Sequence, residues 1–445
     1  LRTLLVSTYD LGRQPFGLAS PAAFLRRAGH EVVCVDLTRT KLSDEAVAGA
    51  ELVAFFLPMH TATRLALPVV ERVRAANPAA HLCAYGLYAP LNAALLRERG
   101  VQTILGPEFE EALLALCASR GPSEPQPTDA AHLPRVQFIA PDRAGLPPLA
   151  KYASLQLGDR RKVAGYTEAT RGCKHLCRHC PIVPVYGGRF RVVPLDIVMA
   201  DIRAQVAAGA AHITFGDPDF WNGPRHAEAV ITALAREFPS LSYDVTIKVE
   251  HLRQHAEALP LLKETGCAFV TTAVESFDDE VLAKLRKGHT HADFEAVVAR
   301  TSAIGLPLSP TFVAFTPWTT IESYVAMLRE IARLGLVGAV APIQFAIRLL
   351  VPDGSLLLEL EDVRRAIERF DSKTLTHVWR HADPRVDALQ RDIERLVGAR
   401  VNAPRADTFA RVWALAHEAA GARMPPPEIL PSRATVPYLN EPWYC

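Results

Sequence analysis

The chain has 445 residues, 49% hydrophobic and 22% charged, which is enough apolar material for more than one core and excludes disorder as its main state. Forty-nine basic against 48 acidic side chains leave a formal net charge of +1, so no bulk attraction to nucleic acid or to an anionic membrane surface is expected. No run of about 18 apolar residues is free of charges and helix breakers, so no membrane span is expected either.

Residues 1–9 read as a first buried strand rather than a signal peptide, because one Arg interrupts a short apolar run and no small-residue cleavage pattern follows. Short apolar runs at 3–8, 31–36, 52–57, 81–86 and 101–105 alternate with helical spacing at 17–28, 61–76 and 92–99. Five such runs predict a doubly wound parallel sheet, here taken as a Rossmann-like domain over 1–118. Ligands of such sheets sit beyond the carboxyl ends of the strands, so the loops at 9–16, 58–63, 86–90 and 106–109 are the ones expected to bind. Residues 119–152 are proline-rich and polar at 121–128 and read as a linker. Strand–helix alternation resumes over 153–355, with strands expected at 165–170, 212–215, 243–249, 268–273, 308–314 and 343–347. About six βα units are too few for a closed eight-fold barrel and predict a partial, open (β/α)6 one. Residues 356–445 are expected to be helical, at 361–370, 385–397 and 406–419, and then extended. The fold class is therefore α/β throughout, with a helical end.

Of eight cysteines, Cys34, Cys83, Cys117 and Cys267 are scattered and Cys445 ends the chain, while three stand close together. This is no disulfide scaffold, and the cytoplasm is the expected compartment. The close set is Arg171-Gly-Cys173-Lys-His175-Leu-Cys177-Arg-His179-Cys180. Thiolates at this spacing can converge on one soft metal centre. A structural zinc site is one reading, with His175 or His179 as a further ligand, although zinc sites usually pair two separate short Cys elements. A [4Fe–4S] cluster with one open iron is the other. A catalytic nucleophile fits less well, since one cysteine would serve.

The Cys-x₃-Cys-x₂-Cys run resembles the signature of the radical S-adenosylmethionine (SAM) enzymes. His179 stands where the family usually has an aromatic residue. The resemblance implies that Cys173, Cys177 and Cys180 hold a [4Fe–4S] cluster whose open iron chelates SAM, and that one electron then cleaves SAM to a 5′-deoxyadenosyl radical. It extends to Gly216-Asp217-Pro-Asp219, similar to the acidic turn that meets the SAM amino group, and to Glu275-Ser276 beside the ribose. Lys248 is implied at the SAM carboxylate, and Ala314, where the family has Gly, near the adenine. The same resemblance implies an external one-electron donor of flavodoxin or ferredoxin type.

The first 118 residues resemble the cobalamin-binding subgroup of that family, on Phe16-Gly17-Leu-Ala, on 24–32, on Tyr85-Gly86 and on Glu108. This implies cobalamin contacts at Tyr9, Phe16, Gly17, His60, Gly86 and Glu108. The Asp-x-His-x-x-Gly loop of other cobalamin proteins is absent, and His60 is the nearby candidate axial ligand, with hydrogen-bonded scaffold as its plainer role. The function implied is cobalamin-dependent methylation of a small molecule or natural product. A cluster-only radical enzyme is the alternative, and a non-catalytic zinc or iron–sulfur protein is a different class. Cys445, in an aromatic tail, is either an active-site group or part of a docking clamp. Trp221 and Trp318 are expected at strand ends, in the core or lining the pocket.

Overall fold

The computed structural model describes residues 1–119, 133–428 and 438–439. Its first part is a five-stranded parallel sheet of β1 (Arg2–Ser7), β2 (Glu31–Asp36), β3 (Leu52–Phe56), β4 (His81–Tyr85) and β5 (Thr103–Ile104), in the order β2-β1-β3-β4-β5. β3 is buried along its whole length and β1 over five of its six residues, as expected of parallel strands covered on both faces. Leu18, Ala22 and Leu25 of the helix Phe16–Arg27 pack with Leu113 and Leu116 of the helix Glu110–Ser119 on one face. Val70 and Val73 of the helix His60–Ala76 cover the other. Cys83 and Cys117 are buried in this core, and burial raises both thiols, so they behave as small apolar side chains.

The second sheet curls into a half-barrel. β6 (Ser154–Leu157) and β7 (Arg160–Thr167) form a hairpin, and β7 continues into parallel β10 (His212–Phe215), β11 (Ser242–Thr246), β12 (Cys267–Glu275) and β13 (Leu308–Phe312). Between them, a short hairpin of β8 (Thr170–Gly172) and β9 (Phe190–Val192) brackets the cysteines. Helix-facing residues of the strands, such as Ile213, Tyr243, Val245 and Val270, form one core with helices Leu195–Ala207, Pro224–Glu237, His291–Ala303 and Ile321–Arg333. Arg143 ties the two sheets together: it reaches Gln14 at 3.0 Å on the first and Asp201 at 3.0 Å on the second.

Two expectations need correction. The sixth strand, expected at 343–347, is a 3₁₀ turn, Pro342–Phe345, and parallel pairing there shrinks to a single bridge between Phe315 and Arg348. Pro342 has no N–H to give a ladder, and the Gln344 side chain instead accepts from the Phe312 N–H at 2.8 Å. The helix expected at 361–370 stops at Ala366. The chain then forms a β-hairpin of β14 (Ile367–Asp371) and β15 (Thr376–Trp379), whose tip places Leu375 in the core of the first sheet. The helices Pro384–Gly398 and Arg405–Ala419 follow as expected. β16 (Tyr438–Leu439) pairs antiparallel with β6 and covers that sheet edge. Cys445 lies outside the described residues.

Candidate functional site

The cysteine loop leaves β8 at Gly172, whose φ is +77°; a Cβ there would meet the Tyr186 ring at 2.4 Å and the Arg189 carbonyl at 2.6 Å. The loop is held from several sides. Cys173 N–H donates to Arg189 O at 3.1 Å, Asn222 donates to Gly172 O at 3.0 Å, and Arg178 N–H donates to Leu285 O at 2.9 Å. Cys180 N–H donates to Cys177 O at 3.1 Å, closing the turn between those two ligand candidates. The three thiols converge closely enough for Cys173 to feel the charge of the other two. Burial pushes Cys173 up to about 12 and Cys180 to about 11, so a metal that binds here displaces protons. Three convergent thiols backed by a buried ammonium, Lys287, form a donor set that fits a [4Fe–4S] cluster.

Glu275 closes one side of this mouth. A register shift at the end of β12 puts it at φ +69°, an uncommon backbone for a residue with a Cβ. Its Oε1 meets Lys287 Nζ and His179 Nε2, each at 3.1 Å. Burial alone would raise this carboxyl, but Lys287 and His179 hold it well below the usual range. Ser276 is half-buried and accepts from the Asp278 N–H at 3.0 Å. Ala314 is buried, and its carbonyl accepts from Thr319 at 3.2 Å.

On the opposite side, Gly216 follows β10, where a Cβ would stand 1.8 Å from the Tyr166 hydroxyl; close packing accounts for the glycine. Asp217 is turned away from solvent. It accepts from the Ala169 N–H at 2.9 Å and the Thr170 hydroxyl at 2.6 Å, so it braces the strand that leads into the cysteines. Asp219 caps the following turn through the Trp221 N–H at 3.1 Å. Its other oxygen lies 3.1 Å from His175 Nε2 and 2.7 Å from His251 Nδ1. Lys248 lies just past β11, and its Nζ meets Glu250 at 2.7 Å and His175 Nδ1 at 3.2 Å. Trp221 is fully buried, whereas Trp318 donates to Asp362 at 2.6 Å.

A cleft of about 180 Å³ lies between the two sheets. Its lining draws on all four loops expected to bind, through Phe16, Pro58, Gly86 and Phe109, and on Arg171 and Gly216 from the half-barrel. Gly17 and Gly86 let the backbone approach closely, since a Cβ would meet the Phe56 ring at 2.2 Å and Leu57 O at 2.9 Å respectively. Tyr9 is buried. Glu108 lies behind the cleft, where it accepts from the Tyr186 hydroxyl at 2.8 Å. His60 Nε2 is 2.5 Å from the Thr374 carbonyl in the β14–β15 tip, a hydrogen bond that ties it to the hairpin. The sequence did not single out Arg171 as a buried junction, nor His251. Each owes its setting to partners distant in the chain, and no local spacing announces them.

Residues 167–331 match the Radical SAM superfamily. The match spans the half-barrel with its cysteine loop, and a [4Fe–4S] cluster and SAM are the cofactors that this match implies. It is 24% identical over 331 residues to the hopanoid C-3 methylase of Methylococcus capsulatus, covering 71% of this chain and 64% of that one. Among solved structures, the cobalamin-dependent SAM radical enzyme OxsB with aqua-cobalamin bound superposes with a TM-score of 0.67 at 12% identity, over 89% of this chain and 67% of that one. The radical SAM methyltransferase TsrM from Kitasatospora setae, with cobalamin and a [4Fe–4S] cluster bound, gives 0.60 at 18%, over 75% and 73%. At these identities the two structures establish the fold: a parallel sheet ahead of a half-barrel.

Proposed function

We propose that the protein is a cobalamin-dependent radical SAM methyltransferase acting on a small-molecule substrate. The observation that carries this reading is the cleft between the sheets, lined on one side by the first sheet's carboxyl-end loops and on the other by the strand that runs into Cys173. Relatives and structural neighbours named for methyl transfer and cobalamin support it. A [4Fe–4S] cluster with SAM would supply a hydrogen-abstracting radical, and methylcobalamin a methyl group.

The chain's own contribution is positioning. Cys173, Cys177 and Cys180 would hold the cluster, with Lys287 balancing thiolate charge from beneath. Glu275, Ser276, Lys248 and Ala314 stand around the mouth where SAM would lie. Phe16, Gly17, Gly86 and Leu87 offer an apolar, closely approachable wall for a corrin ring. With His60 tied to Thr374, the cobalamin would be held without that histidine as its lower ligand. Radical transfer needs no general base at the reacting carbon. A one-electron donor of flavodoxin or ferredoxin type would supply the electron.

The test is retention of corrinoid. Protein reconstituted anaerobically with iron, sulfide and hydroxocobalamin, then desalted, is expected to keep about one corrinoid per chain. Leu87→Trp, which fills the cleft, is expected to lose corrinoid while keeping its iron. A folded, cluster-loaded protein that keeps no corrinoid would sink the methylcobalamin reading and leave a cluster-only radical enzyme.

A further inference from the structure

His175, Asp219 and His251 come from three separate segments: the cysteine loop, the turn after β10 and the helix Val249–Gln254 after β11. The half-barrel brings their donor atoms within 4.8 Å of one another. Asp219 and His251 are each 1% exposed. Although the Asp219 oxygen is 2.7 Å and 3.1 Å from the two imidazoles, neither contact has the alignment of a hydrogen bond. As a result His175 Nε2, Asp219 Oδ2 and both nitrogens of His251 are buried with no hydrogen-bond partner among the described residues. Buried polar atoms are seldom left this way, and one from each of the three residues faces a common point, a donor set able to take a metal ion.

We infer that His175, Asp219 and His251 form a second metal site, separate from the cysteines, for a divalent first-row transition ion. Two imidazoles and one carboxylate are nitrogen and oxygen donors of the zinc or iron(II) type, and three protein ligands leave a position open. Ligands on a tetrahedral ion about 2.0–2.1 Å away stand about 3.3 Å apart. The 3.1 Å contact is close to that spacing, the 2.7 Å contact has to open by about 0.6 Å, and the third pair of donors lies within 4.8 Å. The surroundings suit a ligated histidine. Lys248 Nζ, 3.2 Å from the far nitrogen of His175, fixes the ring with Nε2 toward Asp219, and Glu250 holds Lys248 at 2.7 Å and lies 3.5 Å from the same nitrogen. The His255 ring, 5.8 Å from that of His251, and Trp221 close the back of the site. The site stands on its own donors and does not rest on the cobalamin reading.

The test uses the cluster-loaded protein with Zn²⁺ as the probe. After incubation and desalting, metals are counted and the zinc K-edge absorption is recorded. The site predicts about one zinc per chain in addition to the cluster iron, with nitrogen and oxygen scatterers at about 2.0–2.2 Å and no sulfur shell at about 2.3 Å. His251→Gln and Asp219→Asn are expected to lose the zinc while keeping iron and sulfide, and Glu250→Gln to weaken zinc binding about tenfold. No retained zinc, a sulfur shell, or zinc that survives both ligand substitutions would overturn the site. Should a ligand variant also lose its iron, the scatterers around the wild-type zinc decide the question.

Discussion

Asp217 is a carboxylate buried beneath the strand that carries the cysteines, with both oxygens accepting hydrogen bonds from residues 169 and 170. Burial outweighs those bonds and raises its carboxyl to about 7. The sign follows from linkage. A carboxyl raised above its unfolded value of 3.8 binds its proton more tightly in the folded state, so its contribution is fully present below about pH 4 and is lost as pH rises through about 7. The loss is up to about 4 kcal/mol. In Asp217→Asn the amide oxygen can accept from Ala169 and the amide nitrogen donate to Thr170, so this part of the pH dependence should vanish. Urea midpoints of the two proteins between pH 4 and 8 check it: their difference should grow with pH in favour of the Asn variant. A constant difference would show that Asp217 does not titrate there. In sequence this residue belongs to a turn that resembles the one meeting the SAM amino group; its place after the strand 212–215 was visible while the direction of its side chain was not.

At the scale of elements, Arg171 joins the first sheet to the half-barrel. It pairs with Glu110 at 2.6 Å and Glu168 at 2.8 Å, lies 3.7 Å from Glu108, and is flanked by the rings of Phe16, Phe109 and Phe138. One guanidinium thus serves carboxylates from both halves, with Glu108 and Glu110 buried and Glu168 partly exposed. Arg171→Met would leave those carboxylates uncompensated, with an expected loss of about 3–5 kcal/mol in chemical unfolding. Combined with Glu110→Gln, the cost should be clearly less than the sum of the two; additivity would show the pair to be uncoupled. Five strands of the first sheet and β10 to β13 of the half-barrel were legible from apolar runs bounded by turn residues, whereas β6 was not expected and β7 runs over Arg160–Thr167 instead of 165–170. The β14–β15 hairpin was not, because the helical signal of Glu361–Ala366 runs straight into it and the alternation from Ile367 to Trp379 covers few residues. The sixth strand misled for the opposite reason: residues 343–347 are apolar enough for a strand, yet Pro342 and the Gln344 side chain take over its bonding.

The whole molecule is two parallel sheets whose carboxyl edges face one cleft, with the thiols at the half-barrel's mouth and the glycine-rich loops of the first sheet opposite. The three close cysteines stood out because they lie within eight residues of sequence. The cleft was readable in outline, since parallel sheets bind at one edge whatever the ligand. The histidine–aspartate triad was not, as positions 175, 219 and 251 meet only once successive strand ends are drawn together. The most direct measurement is product analysis after anaerobic incubation of the cluster-loaded protein with SAM and dithionite. A radical SAM enzyme built on Cys173, Cys177 and Cys180 should carry about four irons and about four sulfides per chain and release 5′-deoxyadenosine, with Cys177→Ala inactive. A folded protein that carries its full iron and leaves SAM intact would contradict it.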